Sequence, residues 1–490
     1  MDMDYYICMN NIKIPMKGMC ADLKTRRKKV RSRAAAILVF LSLLSGAWLF
    51  QTRLEGGNPS LVMEPPIDAI GMSRNVSIRV EDAKSGLRDL SISLLKNGKK
   101  VDLIEKEFPF SGIIKGGKIK NESFNILIEP EKLGLSDGKA TLIATVADYS
   151  WRGFFRGNKT VIEKDVVIDT KPPKINVISK HHAVVQGGSG LVIYKVSEPC
   201  LRSGVRAGDQ FYPGHAGYFK DKTIYLAFMA LKYNQGPGTA IFAEALDIAG
   251  NYAKAAFPYY IRKKEFKQDV IRVSDRFLNL KMPEFAPEIP QGLKASPINN
   301  FLFINRTLRE ANSSEIKRFA EKTDPSIHWS KKFLRLPKSM RRAGFADYRV
   351  YKYKGKTMDY QIHFGMDLAS VAKADVPASN SGRVAGTGVF GIYGKTIVID
   401  HGCGLFSLYS HLSQIYAQPG QMVKRGETIG LTGKTGLAAG DHLHFGMFIN
   451  NTFVNPLEWW DPVWIEKNIS RKIKQARRSM KKQTGEEPRP

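Results

Sequence analysis

The chain has 490 residues, of which 43% are hydrophobic, so it can bury several cores in about three or four domains. This composition excludes a disordered or collagen-like protein. The formal net charge of +29 favours polyanionic partners such as nucleic acid, anionic lipid or anionic cell-wall polymer, and composition does not choose among the three.

The four cysteines, Cys8, Cys20, Cys200 and Cys403, are too few and too scattered for a disulfide scaffold or a thiolate zinc cluster. A metal site in this chain would therefore have to use histidine and carboxylate ligands. A bridge between Cys200 and Cys403 is not favoured, because the sequence places them in separate domains.

The first strong signal along the chain is an apolar stretch over residues 34–50, with no charge between Arg33 and Arg53. Its length is at the short end of the bilayer-spanning range, and the basic cluster before it orients the following chain outside the cytoplasm. We predict a cytoplasmic basic N-terminus over 1–33 and a transmembrane signal-anchor over 34–50, in the cytoplasmic (inner) membrane. A cleaved signal peptide is the alternative, because Ser45–Ala47 resembles a cleavage site, although the apolar run continues beyond it.

From residue 61 to 264, short alternating runs broken by turn residues predict many short strands, as in a β-sandwich or barrel. The segments Asp82–Leu87 and Asp247–Asn251 resemble turns of bacterial immunoglobulin-like domains. We therefore predict two immunoglobulin-like β-sandwiches, over 61–170 and 171–264. They are interpreted as spacers or as modules that bind an envelope protein partner.

Residues 265–334 are interpreted as a partly helical connector, with helical periodicity from Asn299 to Lys322 and a proline-rich interval from Pro283 to Pro297. The sequence leaves open whether this segment covers a catalytic groove or only joins domains. The tail over 466–490 is rich in Lys and Arg, and we interpret it as solvated charge on a frayed end.

Two histidine groups require different interpretations. The adjacent pair His181–His182 is expected at surface or loop positions, because neighbours on a strand point to opposite faces. Five of the nine histidines, in contrast, lie within residues 363–444. They are His363, His401, His411, His442 and His444.

The spacing within this group predicts a metal site. His442 and His444 are at i and i+2 in a strand-like run, which puts both imidazoles on one face. The segment His363–Asp367 adds an imidazole and a carboxylate, with a glycine to relieve the bend between them. Catalytic zinc takes three protein ligands and leaves a fourth position for water, and a His/His/Asp set satisfies this. The surplus histidines are suited to proton transfer.

The order and spacing of five segments resemble the LytM/lysostaphin-type metalloendopeptidases, family twenty-three of the metallopeptidases. The segments are His363–Ala369, Tyr409–Ser413, Gly426–Gly430, Thr435–Gly436 and His442–Phe445. The resemblance implies a β-rich LytM-type zinc peptidase domain over 335–465. The whole chain is then mainly β, with an N-terminal transmembrane helix, two sandwiches, the connector and the peptidase domain.

The resemblance also assigns roles to individual residues. It implies that His363, Asp367 and His444 bind one zinc ion (Zn²⁺) per catalytic domain. It implies that His411 and His442 are the catalytic histidines. His401 matches a family position that is not a ligand, so we expect it to be structural.

The function implied by the resemblance is a zinc-dependent endopeptidase that hydrolyses peptide bonds in peptidoglycan stems or cross-bridges, in the periplasm or cell envelope. The alternative is a non-enzymatic LytM-type regulator that binds and activates another wall hydrolase. Such regulators commonly have lost ligands, whereas this chain keeps all five positions. A third hypothesis, that the protein is an adhesin whose sandwich modules bind a partner, is supported only by fold analogy. Peptidoglycan and the membrane are the expected partners, and nucleic acid is not.

Overall fold

A computed structural model describes residues 17–293 and 296–483, apart from the side chains of 17–27, 52 and 482–483. The chain divides into two compact units, Met1–Lys171 and Pro172–Pro490. Strands predominate in both units, which confirms the predicted mainly β fold class.

The first unit contains the predicted apolar helix. Helix α1 (Lys17–Arg53) includes a stretch, Lys28–Gln51, that is long and apolar enough to cross a bilayer and is not buried. This stretch extends the predicted span at both ends. A membrane anchor and a signal sequence near the N-terminus both have this form.

Two sheets make up the rest of the first unit. Their orders are β1-β3-β6 and β2-β8-β7-β4-β5. The elements are β1 (Ser60–Glu64), β2 (Ala69–Ile70), β3 (Arg74–Glu81), β4 (Leu87–Lys96), β5 (Lys99–Glu107), β6 (Asn121–Ile128), β7 (Gly138–Asp148), α2 (Arg152–Phe155) and β8 (Lys159–Ile168). Strand β3 buries every second residue, Val76, Ile78 and Val80, because alternate side chains face the core.

The second unit begins with two four-stranded sheets, of order β14-β15-β11-β9 and β13-β12-β16-β17, and a parallel pair, β10-β18. The strands are β9 (Ile175–Val177), β10 (His182–Val185), β11 (Ser189–Val196), β12 (Cys200–Ala207), β13 (Gln210–Pro213), β14 (His215–Ala216), β15 (Ile224–Ala230), β16 (Ile241–Asp247), β17 (Tyr252–Ala256) and β18 (Tyr259–Arg262). Cys200 and Cys403 are free thiols within this unit. Cys8 lies outside the described residues.

The connector consists of one strand and a series of helices. Its elements are β19 (Gln268–Val273), α3 (Asp275–Lys281), α4 (Pro297–Phe303) and α5 (Arg309–Arg318). Single turns of 3₁₀ or π helix over Ile304–Leu308 and Phe319–Lys322 make Pro297–Lys322 one helical run. The proline-rich interval contains further 3₁₀ turns at Met282–Phe285 and Gln291–Leu293.

Three sheets form the region predicted to be catalytic. The largest has the order β20-β23-β31-β27-β26-β25-β29 with β32 paired to β31, and the others are β24-β30-β28 and β19-β21-β22. The strands are β20 (Met340–Ala343), β21 (Tyr348–Tyr353), β22 (Lys356–Ile362), β23 (Met366–Ala369), β24 (Asp375–Pro377), β25 (Gly382–Val389), β26 (Lys395–Asp400), β27 (Leu405–Leu412), β28 (Gln414–Ile415), β29 (Met422–Val423), β30 (Thr428–Leu431), β31 (Leu443–Ile449) and β32 (Thr452–Val454). Because β19 pairs with β21, the connector extends a sheet of this region.

The two four-stranded sheets of the second unit and the region predicted to be catalytic share one hydrophobic core. Fully buried Trp459 donates its indole N–H to Ser189 Oγ at 3.1 Å. The Glu458 carboxylate accepts the Ser189 backbone N–H at 2.7 Å, and burial raises the pKa of Glu458 to about 7. Tyr212 donates its hydroxyl to Thr452 across the same boundary. The two parts of the second unit are therefore held together by buried contacts.

The expectation of a frayed basic tail is wrong for residues 466–483. After helices α6 (Pro456–Trp460) and α7 (Pro462–Ile465), a π turn over Glu466–Ser470 leads into helix α8 (Arg471–Gln483). This helix packs on the second sandwich because apolar residues recur every three or four positions and enter the shared core. These residues are Ile465, Ile469, Ile473, Ala476 and Met480. Residues 484–490 lie outside the described part of the chain.

Candidate metal centre and groove

The candidate site lies across neighbouring strands of the largest sheet. Asp367 on β23 pairs directly with His444 on β31, and His444 pairs on its other side with Ser410 on β27. His411 follows Ser410 at once, while His363 lies in the turn between β22 and β23. The sheet register thus brings together residues that are up to 81 positions apart in the chain.

Three of the predicted site residues meet at a single point. His363 Nε2 lies 2.9 Å from Asp367 Oδ1 and 3.0 Å from His444 Nδ1. His444 Nδ1 lies 2.9 Å from the same carboxylate oxygen. All three residues are nearly buried. Two ring nitrogens and one carboxylate oxygen therefore form a compact triangle of potential ligand atoms.

The three atoms of the triangle are better placed to coordinate a divalent metal than to share protons in hydrogen bonds with one another. His363 Nδ1 lies 2.7 Å from the Gly344 carbonyl, so it carries the ring proton as a donor and leaves a lone pair on Nε2. A proton on His444 Nδ1 could not bridge both other atoms at once, whereas a cation contacts all three. Zinc takes imidazole nitrogen and carboxylate oxygen at about 2.0–2.2 Å, and His/His/Asp is a suitable donor set.

Arg349 orients the carboxylate within this triangle. Its Nη2 atom contacts Asp367 Oδ2 at 2.6 Å, which leaves Oδ1 directed at the two histidines. Burial by itself would raise the pKa of Asp367, but His363, His444 and the Arg349 guanidinium hold that pKa well below its ordinary value. The carboxylate is therefore ionised at neutral pH, as a metal ligand must be.

The other two predicted histidines lie beside the triangle. His442 Nε2 is 3.7 Å from Asp367 Oδ1, and the rings of His411 and His442 are 4.8 Å apart between centroids. Each ring directs Nδ1 at a backbone carbonyl, His411 at Thr435 and His442 at Gly440. Both Nδ1 atoms are thereby assigned as donors, so each Nε2 atom is available as an acceptor.

Burial favours the neutral form of two histidines of the site, His444 and His411. It lowers the pKa of His444 to about 4. It also lowers the pKa of His411 well below the ordinary value, and repulsion from His442 and His444 adds to this. Neutral imidazoles have the lone pairs that metal binding and general-base chemistry require.

His411 has an unusual backbone conformation. Its φ angle is 65°, in the left-handed region that non-glycine residues rarely adopt. Strain of this kind persists where the surrounding structure fixes it, and it is concentrated at functional sites. Here it occurs one residue before the end of strand β27, and the imidazole lies beside that of His442.

Gly365 has a different role from the one predicted. Its φ angle is not in the left-handed region. Instead, an added Cβ would lie 2.6 Å from the His444 ring and 2.8 Å from the Phe445 carbonyl. The glycine is therefore needed because the His444 imidazole packs directly against the backbone.

His401 lies apart from this group. Its Nδ1 atom is 2.8 Å from the Ser381 carbonyl and its Nε2 atom is 2.7 Å from Ser407 Oγ. The ring is fully buried and packs edge-on against Phe333. Both nitrogens thus have partners outside the triangle.

A groove of about 580 Å³ opens over the triangle. The connector forms part of its wall, through the end of β19 and through α3. Lys281 at the end of α3 donates to the Lys434 carbonyl at 2.7 Å, so the connector is tied to the loop beyond β30. Helix α5 supports the Tyr393 ring, which lies 5.7 Å from His444, through a Ser313–Tyr393 hydroxyl contact at 3.1 Å. The connector therefore covers part of the groove as well as joining domains.

The groove wall is rich in cations. Its arginines are Arg272, Arg276, Arg309 and Arg349. Among the described residues that line the groove, Asp367 is the only acid. Arg272 and Arg276 are exposed and make no ion pair with any described residue. The groove thus presents two guanidinium groups that are free to bind an anionic ligand.

These arginines and Tyr393 were not among the site residues predicted from the sequence. Each reaches the site through pairing or packing between segments that are far apart in the chain, such as β19 with β21. A local signal existed only for Arg349, which with Lys352 is one of two charged residues in the otherwise apolar and aromatic run Tyr348–Tyr353.

Comparison with known proteins gives a matching family. Residues 361–456 match the model of peptidase family M23. The chain carries a peptidase M23 domain. The resemblance inferred from the sequence is confirmed, and the matched M23 segment contains the triangle and both neighbouring histidines.

Three known proteins illustrate how far the similarity extends. Over 98 residues the chain is 39% identical to the DD-carboxypeptidase/endopeptidase Mpg of Neisseria meningitidis serogroup B, covering 20% of this chain and 23% of Mpg. Over 192 residues it is 29% identical to the peptidoglycan DD-endopeptidase ShyB of Vibrio cholerae, covering 38% and 44%. The catalytic domain of lysostaphin from Staphylococcus simulans is 28% identical, with 26% of this chain and 94% of that domain covered and a TM-score of 0.22. The matches thus span less than half of the length of these two curated relatives.

The triangle generates a test of metal binding. The purified full-length chain should contain about one zinc ion, and His363→Ala, Asp367→Ala and His444→Ala should each remove it, because each variant deletes one of three ligands. Metal content is measured by mass spectrometry after dialysis. His181→Ala, at an exposed histidine, is the matched control and should keep its zinc. Stoichiometric zinc in His444→Ala would contradict the ligand assignment.

Proposed function

We propose that this protein is a zinc-dependent endopeptidase that hydrolyses peptide bonds in peptidoglycan. The observation that carries the proposal is the convergence of His363, Asp367 and His444 within 3.0 Å at the floor of a groove, with His411 and His442 beside them. The M23 match and the names of two relatives, a peptidoglycan DD-endopeptidase and a DD-carboxypeptidase/endopeptidase, support this substrate class.

The residues of the site have separate proposed roles in metal binding and in proton transfer. His363, Asp367 and His444 would hold the zinc ion, with Arg349 fixing the carboxylate. The chemistry that zinc supplies in such a site is polarisation of the scissile carbonyl and activation of water near neutral pH. His411 and His442 have their Nδ1 atoms bonded to backbone carbonyls, so their Nε2 atoms can accept the proton of the attacking water. As imidazolium, either ring can then stabilise the oxyanion or protonate the leaving amine.

The same geometry disfavours a purely regulatory role. A regulator that only binds another hydrolase needs neither an intact ligand set nor further histidines beside it. Here the three ligands and both further histidines are present and are positioned by sheet register and backbone contacts. The apolar stretch of α1 and the basic residues before it support a location outside the cytoplasm for the M23 domain, with α1 as a single membrane anchor.

Substitution of the two non-ligand histidines tests the division of roles. His411→Ala and His442→Ala should each retain about one zinc ion but lose at least about a hundredfold in rate, because general acid–base and oxyanion contributions are of that size. The measurement is the release of peptide ends from purified peptidoglycan by the full-length chain, followed by mass spectrometry with and without chelator.

Three outcomes of this experiment distinguish the alternatives. His401→Ala is the control, and it should lower thermal stability before it lowers the rate of the folded enzyme. A His442→Ala variant that cleaves at the parent rate, or that loses zinc, would refute the assigned roles. A zinc-loaded parent chain that releases no peptide ends would favour the regulator.

The cations of the groove indicate which peptides it accepts. Peptidoglycan stem peptides carry free carboxylates, and arginine binds carboxylate with two parallel hydrogen bonds. Arg272 and Arg276 are exposed on the groove wall and have no ion-pair partner among the described residues. We therefore propose that they bind a carboxylate of the substrate peptide on the side of the groove formed by the connector.

A paired substitution tests this role. Arg272→Gln/Arg276→Gln should lower kcat/KM by about tenfold on a peptide with free carboxylates, since a hydrogen bond to a charged group contributes about 1.5–3 kcal/mol. On a peptide whose carboxylates are amidated, the same variant should have the kcat/KM of the parent. Lys263→Gln/Lys267→Gln removes equal charge outside the groove and is the control. An equal loss on both peptides would contradict the carboxylate contact.

A further inference from the structure

A second cavity, of about 490 Å³, lies within the second unit, and none of its lining residues falls in the segment that matches the M23 model. One wall is the parallel pair β10-β18 with the residues just before it, and the other is the helical segment from α7 to α8. Its charged residues and its titratable histidine are all basic. They are Lys180, His181, Arg262, Lys467, Arg471 and Lys472. We call this the basic cavity, because no acid occurs among the described residues that line it.

The helical wall presents its polar side chains on one face. Lys467 and Arg471 are four positions apart, as are Asn468 and Lys472, and Gln475 follows one turn later. Residues three and four apart lie on the same side of a helix, so these groups face the cavity together. The apolar positions between them enter the core instead, which fixes the orientation of this face.

Lys472 is a buried cation without a counter-ion. It is only 3% exposed, and its ammonium donates to His182 Nδ1 at 3.1 Å and to the Leu191 carbonyl at 2.9 Å. An ammonium has three N–H groups, so one is left without a partner among the described residues. Burial of an unpaired charge is costly. An anion in the basic cavity would offset that cost.

His182 supports this interpretation of Lys472. The sequence predicted a surface or loop position, but His182 is buried in β10, while His181 is exposed. Burial lowers the pKa of His182 to about 4, so the ring is neutral and Nδ1 accepts the lysine N–H. Burial also lowers the pKa of Lys472 to about 8, which leaves it mostly protonated at neutral pH. The contact therefore keeps a positive charge at the cavity wall.

The remaining cations of the cavity are also unpaired. Lys180, Arg262, Lys467 and Arg471 are exposed, and none makes an ion pair with another described residue. On the same helix, by contrast, Lys474 pairs with Glu466 at 3.2 Å. Like charges held around one cavity repel each other unless an anion lies between them.

We propose that the basic cavity binds a phosphate ester. A phosphate group offers up to two negative charges and three acceptor oxygens, which matches several lysine and arginine donors on two walls better than a single carboxylate does. Tyr260, 67% exposed, and Trp464 add apolar surface beside the cations for the organic part of the ester. Glycerol phosphate polymers and phospholipid headgroups share this chemistry.

Titration calorimetry on the full-length chain in nonionic detergent tests the proposal, with glycerol 3-phosphate as the probe. Lys467→Gln/Arg471→Gln should weaken binding by at least about tenfold, because it removes two charged hydrogen-bond donors from the cavity wall. The matched control, Lys474→Gln/Arg478→Gln, removes the same charge from the same helix outside the cavity and should change binding by less than about threefold. Lys180→Gln/Arg262→Gln on the opposite wall provides a second loss variant if the first is unstable.

The outcomes separate specific binding from general attraction. Equal weakening in the cavity and control variants, or no measurable binding by the parent, would overturn the proposal. Glutarate binding as tightly as glycerol 3-phosphate would overturn the preference for phosphate. With polyglycerol phosphate and micellar phosphatidylglycerol as further probes, the tighter partner identifies the source of the ester, and either result supports the site. Zinc content and peptidase activity should not change in these variants, so this test is independent of the proposed enzymatic function.

Discussion

The contact among His363 Nε2, Asp367 Oδ1 and His444 Nδ1 is the constraint on which the rest of the catalytic region depends. Three polar atoms within 3.0 Å of one another, almost buried, cannot all be satisfied by protons. The neighbouring structure serves to hold them there: adjacent strands set the register, Gly365 admits the imidazole, and Arg349 fixes the carboxylate. A metal bound there would relieve this frustration and would supply the reactivity.

The residues around the candidate metal site form a groove whose two sides differ. On one side, His411 and His442 have their tautomers set by backbone carbonyls. On the other, the connector contributes arginines, and its helices support Tyr393. The sandwich that precedes the connector shares its core with the M23 domain, so Trp459 and Glu458 make the two a single body. In the proposed mechanism, proton transfer and peptide recognition would therefore come from different parts of the chain.

The sequence predicted the parts of this arrangement that are local. His442 and His444 lie on the same side of the sheet because residues i and i+2 of a strand point in one direction. His363 and Asp367 come together because only a short turn separates them. The sequence could not predict Arg276 in the groove, which depends on the pairing of β19 with β21, about eighty positions away. The charge of the tail over 466–490 predicted a frayed end, but Ile469 and Ile473 recur at helical spacing and enter the core.

Anomalous diffraction at the zinc edge, from crystals of the full-length chain or of a folded fragment, tests the central claim most directly. The account predicts one peak, about 2.0–2.2 Å from each of His363 Nε2, Asp367 Oδ1 and His444 Nδ1. The Nε2 atoms of His411 and His442 should lie beyond bonding distance of it. A peak bonded to His411 or His442, or a zinc-saturated crystal with no peak between the three proposed ligand atoms, would contradict the account.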